Sequence, residues 1–243
     1  MPNHPFGAID SPAEVAETGL MDRGYSDSFG AKISRQALAE LRAKGFTRRF
    51  SENDQLFMEH DCSGSVFLVE SGLVKVYVTA GNGKELILGI YGRGELLCEL
   101  SAMDRRPRSA SGRGRASGTV TEIPGTEFRA FIGRHPAAMQ HVLRTVQIRL
   151  HRADQERLSY LSDGVRIRVV RKLLNWADQY GRQRVGGVAI AGFSRRDLAQ
   201  SVAASEKTID DILSALTAEG TVATDKKWFL LRDVEGLRKS TED

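Results

Sequence analysis

The fold of this chain is decided by a stretch near its C-terminus, which reads SRRDLAQSVAASEKTIDDILSAL over residues 194–216. Ser194, followed three residues later by Asp197, has the pattern of a capping box, in which each side chain bonds the backbone N–H of the other residue. Leu198 and Val202 come next at helical spacing and supply one apolar face. These residues predict a short helix that begins just after Ser194.

A second helix is predicted almost at once. Ala203 and Ala204 form a tight connection to Ser205, which is a favourable N-cap residue. Two short helices joined by such a turn predict a helix-turn-helix, whose second helix can enter the major groove of DNA. A chance two-helix corner is the alternative. The apolar residues expected to bury the second helix are Ile209, Ile212, Leu213 and Leu216.

The segment after the second helix adds a wing. Strands are predicted at 221–224 and 228–231, and Asp225-Lys226-Lys227 joins them as a basic hairpin tip. Basic tips suit DNA, because Lys and Arg neutralise phosphates. Acidic Asp210 and Asp211 favour the alternative that the helix-turn-helix contacts another protein. The expected DNA contacts are Arg195, Arg196, Ser205, Glu206, Lys207, Thr208, Asp211, Lys226 and Lys227.

Upstream of the helix-turn-helix, two helices are predicted. One begins after Pro136, and its apolar residues step by four, three, four and three, the rhythm of a coiled-coil seam. Two partners suit this seam: a second copy of the chain, or the N-terminal barrel. Ser162-Asp163-Gly164 breaks this helix and can cap the next one, which Gly181 ends. The residues expected at a homodimer seam are Met139, Leu143, Val146 and Leu150.

The N-terminal half has the pattern of a small β-barrel or β-roll. One short helix is predicted over 34–44, and short strands separated by turns follow at roughly ten-residue intervals from 46 to 125. The strand over 65–78 is expected to alternate between buried and exposed side chains. Residues 1–30 show no sustained periodicity, which predicts a flexible tail.

A cassette inside this barrel indicates a phosphate site. GELLCELSAM over 94–103 predicts a loop and one helical turn, and PRSA over 107–110 brings an arginine nine residues after a glutamate. A guanidinium grips phosphate at two points, and a carboxylate can accept from a sugar hydroxyl. An arginine-rich surface loop is the alternative. Arg105, Arg106, Arg108, Arg113 and Arg115 are expected in a solvated or phosphate-lined loop, with a DNA surface there as the lesser option.

Together these segments resemble the Crp/Fnr family of transcription regulators, over roughly residues 46–231. The resemblance rests on the strand SVFLVESGLVKV at 65–76, the hairpin GKELIL at 83–88, the cassette, LLNWA at 173–177 and the helix-turn-helix. It implies an α+β chain with a cyclic-nucleotide-binding-type β-roll, a long dimerisation helix and a winged helix-turn-helix. The implied partners are double-stranded DNA with a two-fold site, a second copy of the chain, and RNA polymerase.

The same resemblance agrees with the domain boundaries and implies a ligand. The periodicity of the chain, with which the order of the family's parts agrees, predicts a tail at 1–30, a β-roll at 31–133, a dimerisation helix at 134–163 and a DNA-binding domain at 164–243. The implied ligand is cyclic AMP or a related cyclic nucleotide. The residues that align with its contacts are Cys98, Glu99, Leu100, Arg108, Ser109, Ala153 and Asp154.

This chain also departs from the family pattern. Cys98 replaces a glycine, and Ala153 and Asp154 stand where hydroxyl residues read adenine, so phosphate recognition is retained and base recognition is changed. Two alternatives stay open: an empty pocket closed by an Arg108–Glu99 pair, or a cyclic dinucleotide whose second phosphate meets Arg105 and Arg106.

The recognition helix departs from the family as well. Glu206, Lys207 and Asp211 stand where relatives that read TGTGA half-sites carry Arg, Glu and Arg, so that half-site is not expected. Ala203 replaces a turn glycine, which predicts a slightly strained turn.

Composition excludes other classes of protein. The 243 residues are 41% hydrophobic and 27% charged, which is typical of a globular chain. No apolar stretch is long enough to cross a bilayer and no signal-peptide pattern appears, so a cytoplasmic protein with two reduced cysteines and no membrane contact is expected. The net charge of +4 lies after residue 134, which hints at a polyanionic partner. No metal-ligand spacing or hydrolase signature appears, so neither a metal nor an enzyme is expected.

Overall fold

The computed structural model describes residues 26–62 and 64–241, and its N-terminal half is a β-roll flanked by helices. The predicted tail at 1–30 lies mostly outside the described residues, but it is wrong for Phe29 and Gly30, because both lie in a short helix and Phe29 is buried. The elements of this half are α1 (Phe29–Lys32), α2 (Arg35–Ala43), β1 (Phe46–Phe50), β2 (Gln55–Phe57), β3 (Ser65–Thr79), β4 (Glu85–Tyr91), β5 (Leu96–Leu97), α3 (Glu99–Asp104), β6 (Ser111–Pro124) and α4 (Gly125–Arg134).

The C-terminal half consists of the two predicted linking helices followed by a winged helix-turn-helix. Its four-stranded antiparallel sheet has the order β7-β8-β10-β9. The hairpin β7-β8 is absent from the sequence-based prediction, whereas the wing β9-β10 is confirmed. The elements are α5 (Pro136–Ser162), α6 (Val165–Tyr180), β7 (Arg182–Arg184), β8 (Gly187–Ala191), α7 (Arg195–Ser201), α8 (Glu206–Ala218), β9 (Val222–Asp225), β10 (Trp228–Leu231) and α9 (Val234–Lys239).

The β-roll is an antiparallel sheet built around its two longest strands. β3 pairs with β6 along most of its length, and the main order is β1-β6-β3-β4, with β2 on β6 and β5 on β3. The expected alternation along β3 is wrong, because the sheet is covered on both faces. Phe67 and Val69 pack with Phe50 in one cluster, while Val66 and Leu68 pack with α2 and α4 in another.

Strand β6 corrects a second expectation. Arg113 and Arg115 do not lie in a loop, because both belong to strand β6, which begins at Ser111. Arg113 pairs with Lys75 of β3. Arg115 is only 8% exposed, since Asp197 of α7 and Glu52 bind its guanidinium. The prediction of a solvated loop is therefore wrong for Arg115, which is buried between the two halves of the chain.

The two halves share one hydrophobic core. Leu73, Ile87 and Ile90 of the β-roll belong to the same cluster as the buried faces of α6 and α8. The hydroxyl of Tyr180, at the end of α6, donates to the carbonyl of Ile90 at 2.7 Å. This core holds the helix-turn-helix against the β-roll.

The break between α5 and α6 lies where it was predicted, but its cap does not. The N-cap residue of α6 is Gly164, which has no side chain to bond the first turn. Asp163 instead accepts from Ser159 and forms an ion pair with Arg171. Gly181 ends α6 as predicted.

None of the described helices is long and apolar enough to cross a membrane. Within residues 26–62 and 64–241, no group of three or more His, Cys, Asp or Glu residues is placed to hold a metal ion.

Candidate ligand pocket and DNA-binding surface

Arg108 is a buried cation with an open hydrogen-bonding position. It is 5% exposed, and its guanidinium lies over the rings of Phe57 and Phe67 at 5.0 and 5.2 Å. Its Nη2 donates to the carbonyl and hydroxyl oxygens of Ser65, both at 3.2 Å. Its Nη1 is buried and has no hydrogen-bond partner among the described residues. A fixed, charged and unsatisfied donor of this kind suits an anion such as phosphate.

Glu99 begins helix α3 and is 3% exposed. Its carboxylate accepts from Nη1 of Arg149 at 2.6 Å, so the alternative that Arg108 pairs with Glu99 is wrong. Arg149 lies on the long helix α5 and also donates to the carbonyl of Leu96 at 2.8 Å and to Glu95 at 3.4 Å. Burial would lower the pKa of Arg149, but the carboxylate of Glu99 and the neighbouring acidic groups raise it.

Arg149 was missed by sequence reasoning. It lies 50 positions after Glu99, and the sequence of the cassette does not indicate that Glu99 binds a residue of another helix. The available signal was its place one helical turn before Ala153, which had been aligned with the ligand contacts. The structure therefore adds Arg149 to the cluster of Glu99 and Arg108.

Cys98 occupies the position where the family pattern has glycine. Its φ of 67° is in the left-handed region, which explains why glycine suits the position. Its thiol is buried beside Arg108, and burial raises the pKa of this thiol to about 12 although the guanidinium opposes the shift. Cys98 is thus a neutral thiol that reduces the space next to Arg108.

The other aligned contacts lie at the margin of this cluster. Leu100 and Ser109 are exposed, and Ala153 is half-buried on α5. Asp154 is exposed and forms an ion pair with Arg157 at 3.2 Å. The central cluster therefore consists of the buried Glu99 and Arg108 and of the half-buried Cys98 and Arg149.

The helix-turn-helix has the predicted local geometry. Ser194 and Asp197 form both bonds of the capping box on α7, and the Ser205 hydroxyl accepts from the N–H of Thr208 at the start of α8. Ala203 in the turn has a φ of 51°, a conformation that costs a non-glycine residue about 1 kcal/mol. The predicted capping and turn are confirmed.

The exposed surface of this domain is built around one arginine. Arg195 donates to Asp210 of α8 and to the hydroxyl of Thr224 in the wing, both at 2.9 Å. It therefore ties the two helices to the wing. Arg196 is 70% exposed and lies 4.0 Å from Glu206. Of the other predicted DNA contacts, Thr208 is half-buried, and those exposed are Ser205, Glu206, Lys207, Asp211, Lys226 and Lys227.

The wing and the first helix also contact the β-roll through charges. Lys227 at the wing tip forms an ion pair with Glu52 at 2.8 Å, and Glu52 binds Arg115 at the same distance. Arg115 reaches Asp197 at 2.7 Å, which is the capping residue of α7. A chain of charges thus runs from the wing through the β-roll to the first helix.

The long helix α5 keeps part of one apolar face exposed within the described part of the chain. Ala138 and Val142 are its buried residues, and they pack on the β-roll. Leu143 and Leu150 are 52% and 59% exposed, so the alternative that this seam packs on the roll is wrong for both. Met139 and Val146 are half-buried. Met139 packs on the β-roll core, so the exposed apolar surface of this helix of 27 residues lies at Leu143 and Leu150.

Comparison with known proteins agrees with this architecture. The cyclic nucleotide-binding domain family matches residues 47–135, and the Crp-like helix-turn-helix domain family matches residues 167–240. The cyclic AMP receptor protein of Thermus thermophilus is 30% identical over 185 residues, which cover 75% of this chain and 82% of that protein. A CRP-like cAMP-activated global transcriptional regulator of Mycobacterium tuberculosis is 27% identical over 213 residues, which cover 85% and 93% of the two chains.

A solved structure supports the same fold. The c-di-GMP responsive global regulator CLP of Xanthomonas campestris superimposes with a TM-score of 0.74 at 21% identity, over 82% of this chain and 99% of the other.

Proposed function

Because this chain belongs to the Crp/Fnr family of transcription regulators, with a cyclic nucleotide-binding domain and a Crp-like helix-turn-helix DNA-binding domain, we propose that it is a homodimer whose DNA affinity is set by a cyclic nucleotide. The observation that carries this proposal is the open Nη1 of Arg108, a buried donor next to Cys98. The family consists of transcription regulators and not of enzymes. The proposed domains keep the predicted boundaries of 134–163 and 164–243, while the β-roll domain begins at Phe29 instead of residue 31.

The proposed ligand lies with its phosphate on Arg108 and Ser109 and its sugar at Glu99. Leu100 and Cys98 border the phosphate, and Ala153 and Asp154 of α5 approach the base. Cyclic AMP is supported by the names of the relatives in Thermus and Mycobacterium. A cyclic dinucleotide is the second candidate, because the Xanthomonas neighbour is described as responsive to c-di-GMP and because Arg105 and Arg106 are exposed beside the cassette.

The proposed signal passes from the pocket to the long helix through one ion pair. Glu99 holds Arg149 of α5, so a ligand hydroxyl that binds Glu99 competes for the same carboxylate. Loosening or moving Arg149 shifts α5, and two α5 helices in a dimer set the spacing of the two recognition helices. The ligand then selects one of two dimer arrangements by its higher affinity for it.

The proposed DNA contacts are divided by type. Lys226, Lys227 and Arg196 neutralise phosphates, while exposed side chains at the start of α8 meet base edges in the major groove. Glu206 is suited to accept from cytosine N4 and not to bind guanine. RNA polymerase is proposed as a further partner on the strength of the family alone.

A regulator that needs no small ligand is the second candidate function. Two observations favour it: Glu99 already has a cationic partner in Arg149, and Cys98 takes space beside Arg108. In that case the pocket is a remnant and control lies in the amount of protein or in a partner. A nucleotide sensor that uses its helix-turn-helix for protein contacts is a third, since Asp210 and Asp211 are acidic.

Gel shifts and calorimetry together test these proposals. We expect genomic DNA fragments to be retarded, with higher affinity when cyclic AMP or a cyclic dinucleotide is added. Arg108→Ala should weaken nucleotide binding at least about tenfold, or 1.4 kcal/mol. Arg106→Ala, an exposed arginine in the same segment, is the control for cyclic AMP. If no nucleotide binds at millimolar concentration, the ligand-free regulator replaces the first proposal; if no fragment is retarded, the DNA proposal fails.

The homodimer has its own test. Replacing Leu143 and Leu150 by Glu places charges on the exposed stripe of α5, so light scattering should report monomers. DNA affinity should fall sharply, because a monomer contacts one half-site. Arg144→Glu reverses a charge on another exposed face of α5 and should leave the dimer intact. A double variant that stays dimeric would place the seam elsewhere.

A further inference from the structure

Arg108 is oriented by a serine at the start of β3. Its Nη2 donates to the carbonyl oxygen and to the hydroxyl oxygen of Ser65, both at 3.2 Å. This nitrogen carries two N–H groups, so Ser65 offers one acceptor for each of them. The neighbouring Nη1 is buried and has no hydrogen-bond partner among residues 26–62 and 64–241. Ser65 therefore decides which nitrogen of the guanidinium is left for a ligand.

The hydroxyl of Ser65 is itself oriented from β6. It donates to Oε1 of Glu122 at 2.8 Å. A serine hydroxyl has one hydrogen and two lone pairs, so a hydroxyl that donates to Glu122 turns its lone pairs towards other donors. Glu122 thus makes Ser65 an acceptor for Arg108. Without this carboxylate, the hydroxyl is free to turn its hydrogen towards the guanidinium, and the contact is lost.

Glu122 is held in turn by an arginine of β1. Its Oε2 lies 3.7 Å from Nη1 of Arg48. Arg48 also donates to two backbone carbonyls of β2, at 3.2 and 3.3 Å. The same strand carries Phe57, whose ring centre lies 5.0 Å from Cζ of Arg108. The polar contacts that begin at Arg108 therefore return to the strand on which its guanidinium rests.

Burial makes this orientation important for binding. Arg108 is 5% exposed, so its guanidinium depends on protein groups and not on solvent for its hydrogen bonds. A ligand that meets a fixed donor avoids the loss of conformational freedom that ordering the donor would require. The contacts of Ser65 therefore favour binding although they use none of the donors that the ligand needs.

We propose that Ser65 and Glu122 are positioning residues for Arg108, which they hold with Nη2 occupied and Nη1 free for the phosphate of a nucleotide. This role rests on the proposed function, in which that phosphate binds Arg108. Both residues act on the ligand through the guanidinium alone. Their effect on affinity therefore disappears when the guanidinium is removed.

NMR of the arginine side chains tests the positioning without any ligand. A guanidinium held at Nη2 rotates slowly, so its two η-nitrogens should give separate signals, which are assigned by their loss in Arg108→Lys. We expect Ser65→Ala to average the two signals and Ser65→Thr, which keeps the hydroxyl, to preserve both. Ser117→Ala removes an exposed hydroxyl of β6 and should leave them separate. One averaged signal in the wild type, or two in Ser65→Ala, would overturn the proposal.

The contribution of Glu122 is measured in the same way. Glu122→Gln keeps an acceptor for the hydroxyl of Ser65 and should preserve both signals, whereas Glu122→Ala removes the acceptor and should average them. The control Glu127→Ala breaks an exposed ion pair with Lys44 and should change neither signal. Two separate signals in Glu122→Ala would remove Glu122 from the proposal. The Ser65 variants keep the proposal testable should Glu122→Ala not fold.

Calorimetry on the full-length protein, with cyclic AMP and separately with cyclic di-GMP, measures the effect on binding. Ser65→Ala should weaken the binding of the nucleotide that binds by at least about fivefold, and Ser65→Thr should restore it. In the Arg108→Ala background, Ser65→Ala should change affinity by less than about twofold, because no guanidinium remains to be positioned. Equal losses in both backgrounds would overturn the proposal. Failure of the wild type to bind either nucleotide would overturn the proposed function, whereas the NMR comparison decides the positioning of Arg108 by itself.

Discussion

The ligand pocket and the recognition surface place their charges in opposite environments. Glu99 and Arg108 are 3% and 5% exposed, and each is held by a group from another element: Arg149 of α5 for one, Ser65 of β3 for the other. The charges of the recognition helix, such as Glu206 and Lys207, are exposed at the first turn of α8. A buried charge is stable only with a partner, whereas an exposed charge needs none.

This difference separates what each region can do. The charges of the pocket already have protein partners, so a ligand there must replace those partners or join them at the open Nη1 of Arg108. The charges of the recognition surface stay exposed even where they are paired, as Arg196 is with Glu206 and Lys227 with Glu52. The contact between the halves combines both kinds: Arg115 and Asp197 are buried, while Lys227 is exposed.

The largest expected loss of stability comes from breaking a buried ion pair, the one between Arg115 and Asp197. Asp197→Ala leaves the guanidinium of Arg115 buried without its closest carboxylate and removes one of the two capping-box bonds of α7. We expect the free energy of unfolding to fall by about 3–5 kcal/mol in urea titrations. Glu219→Gln breaks an exposed pair with Arg166 and should cost about 0–1 kcal/mol. Equal losses would mean that burial does not distinguish the two pairs.

The two cysteines extend the comparison to chemical reactivity. Cys62 is exposed, whereas burial raises the pKa of Cys98 to about 12, and only the thiolate is nucleophilic. We expect iodoacetamide at pH 8 to alkylate Cys62 first and Cys98 at least about a hundredfold more slowly. Mass spectrometry of Cys62→Ser and Cys98→Ser variants assigns the two rates. Comparable rates would show that the pocket around Cys98 opens readily.

The same contrast explains how much of the molecule the sequence predicted. Helix caps and hairpin turns depend on residues within a few positions of each other, and these were predicted correctly at Ser194, Ser205 and Gly83. The hairpin β7-β8 was missed, because its first strand has only three residues, Arg182 to Arg184, with no apolar alternation.

Partners of buried charges were not predictable in this way. Arg115 was assigned to a solvated loop because its sequence neighbours are basic, yet Asp197, 82 positions away, binds it. Arg149 was missed for the same reason, since Glu99 lies 50 positions before it. Fold and recognition surface follow local patterns, whereas the buried pocket depends on contacts that only the folded chain brings together.

On the exposed side, base preference is the next effect in size. Glu206→Ala should change which DNA sequence is preferred, by about 1–3 kcal/mol for each base pair that Glu206 reads, because a missing acceptor no longer discriminates cytosine. Selection from a randomised DNA library, compared with the wild type, measures the change. Glu235→Ala on α9 is an exposed control that should leave the preference intact. A uniform loss over all sequences would show that Glu206 reads no base.

The smallest expected effect is a difference in the salt dependence of DNA affinity between two neighbouring lysines at the wing tip, Lys226 and Lys227. Lys226 is exposed and Lys227 binds Glu52 at 2.8 Å, so only Lys226 can contact a phosphate without first losing a partner. Each phosphate contact contributes roughly 0.9 to the slope of log affinity against log salt concentration. We therefore expect Lys226→Gln to reduce the slope by roughly 0.9 per subunit and Lys227→Gln to reduce it by less. Glu52→Gln frees Lys227 and should increase the slope. If both lysine variants reduce the slope equally and Glu52→Gln leaves it unchanged, the wing separates from the β-roll when DNA binds, and the contact between the two halves belongs to the DNA-free protein alone.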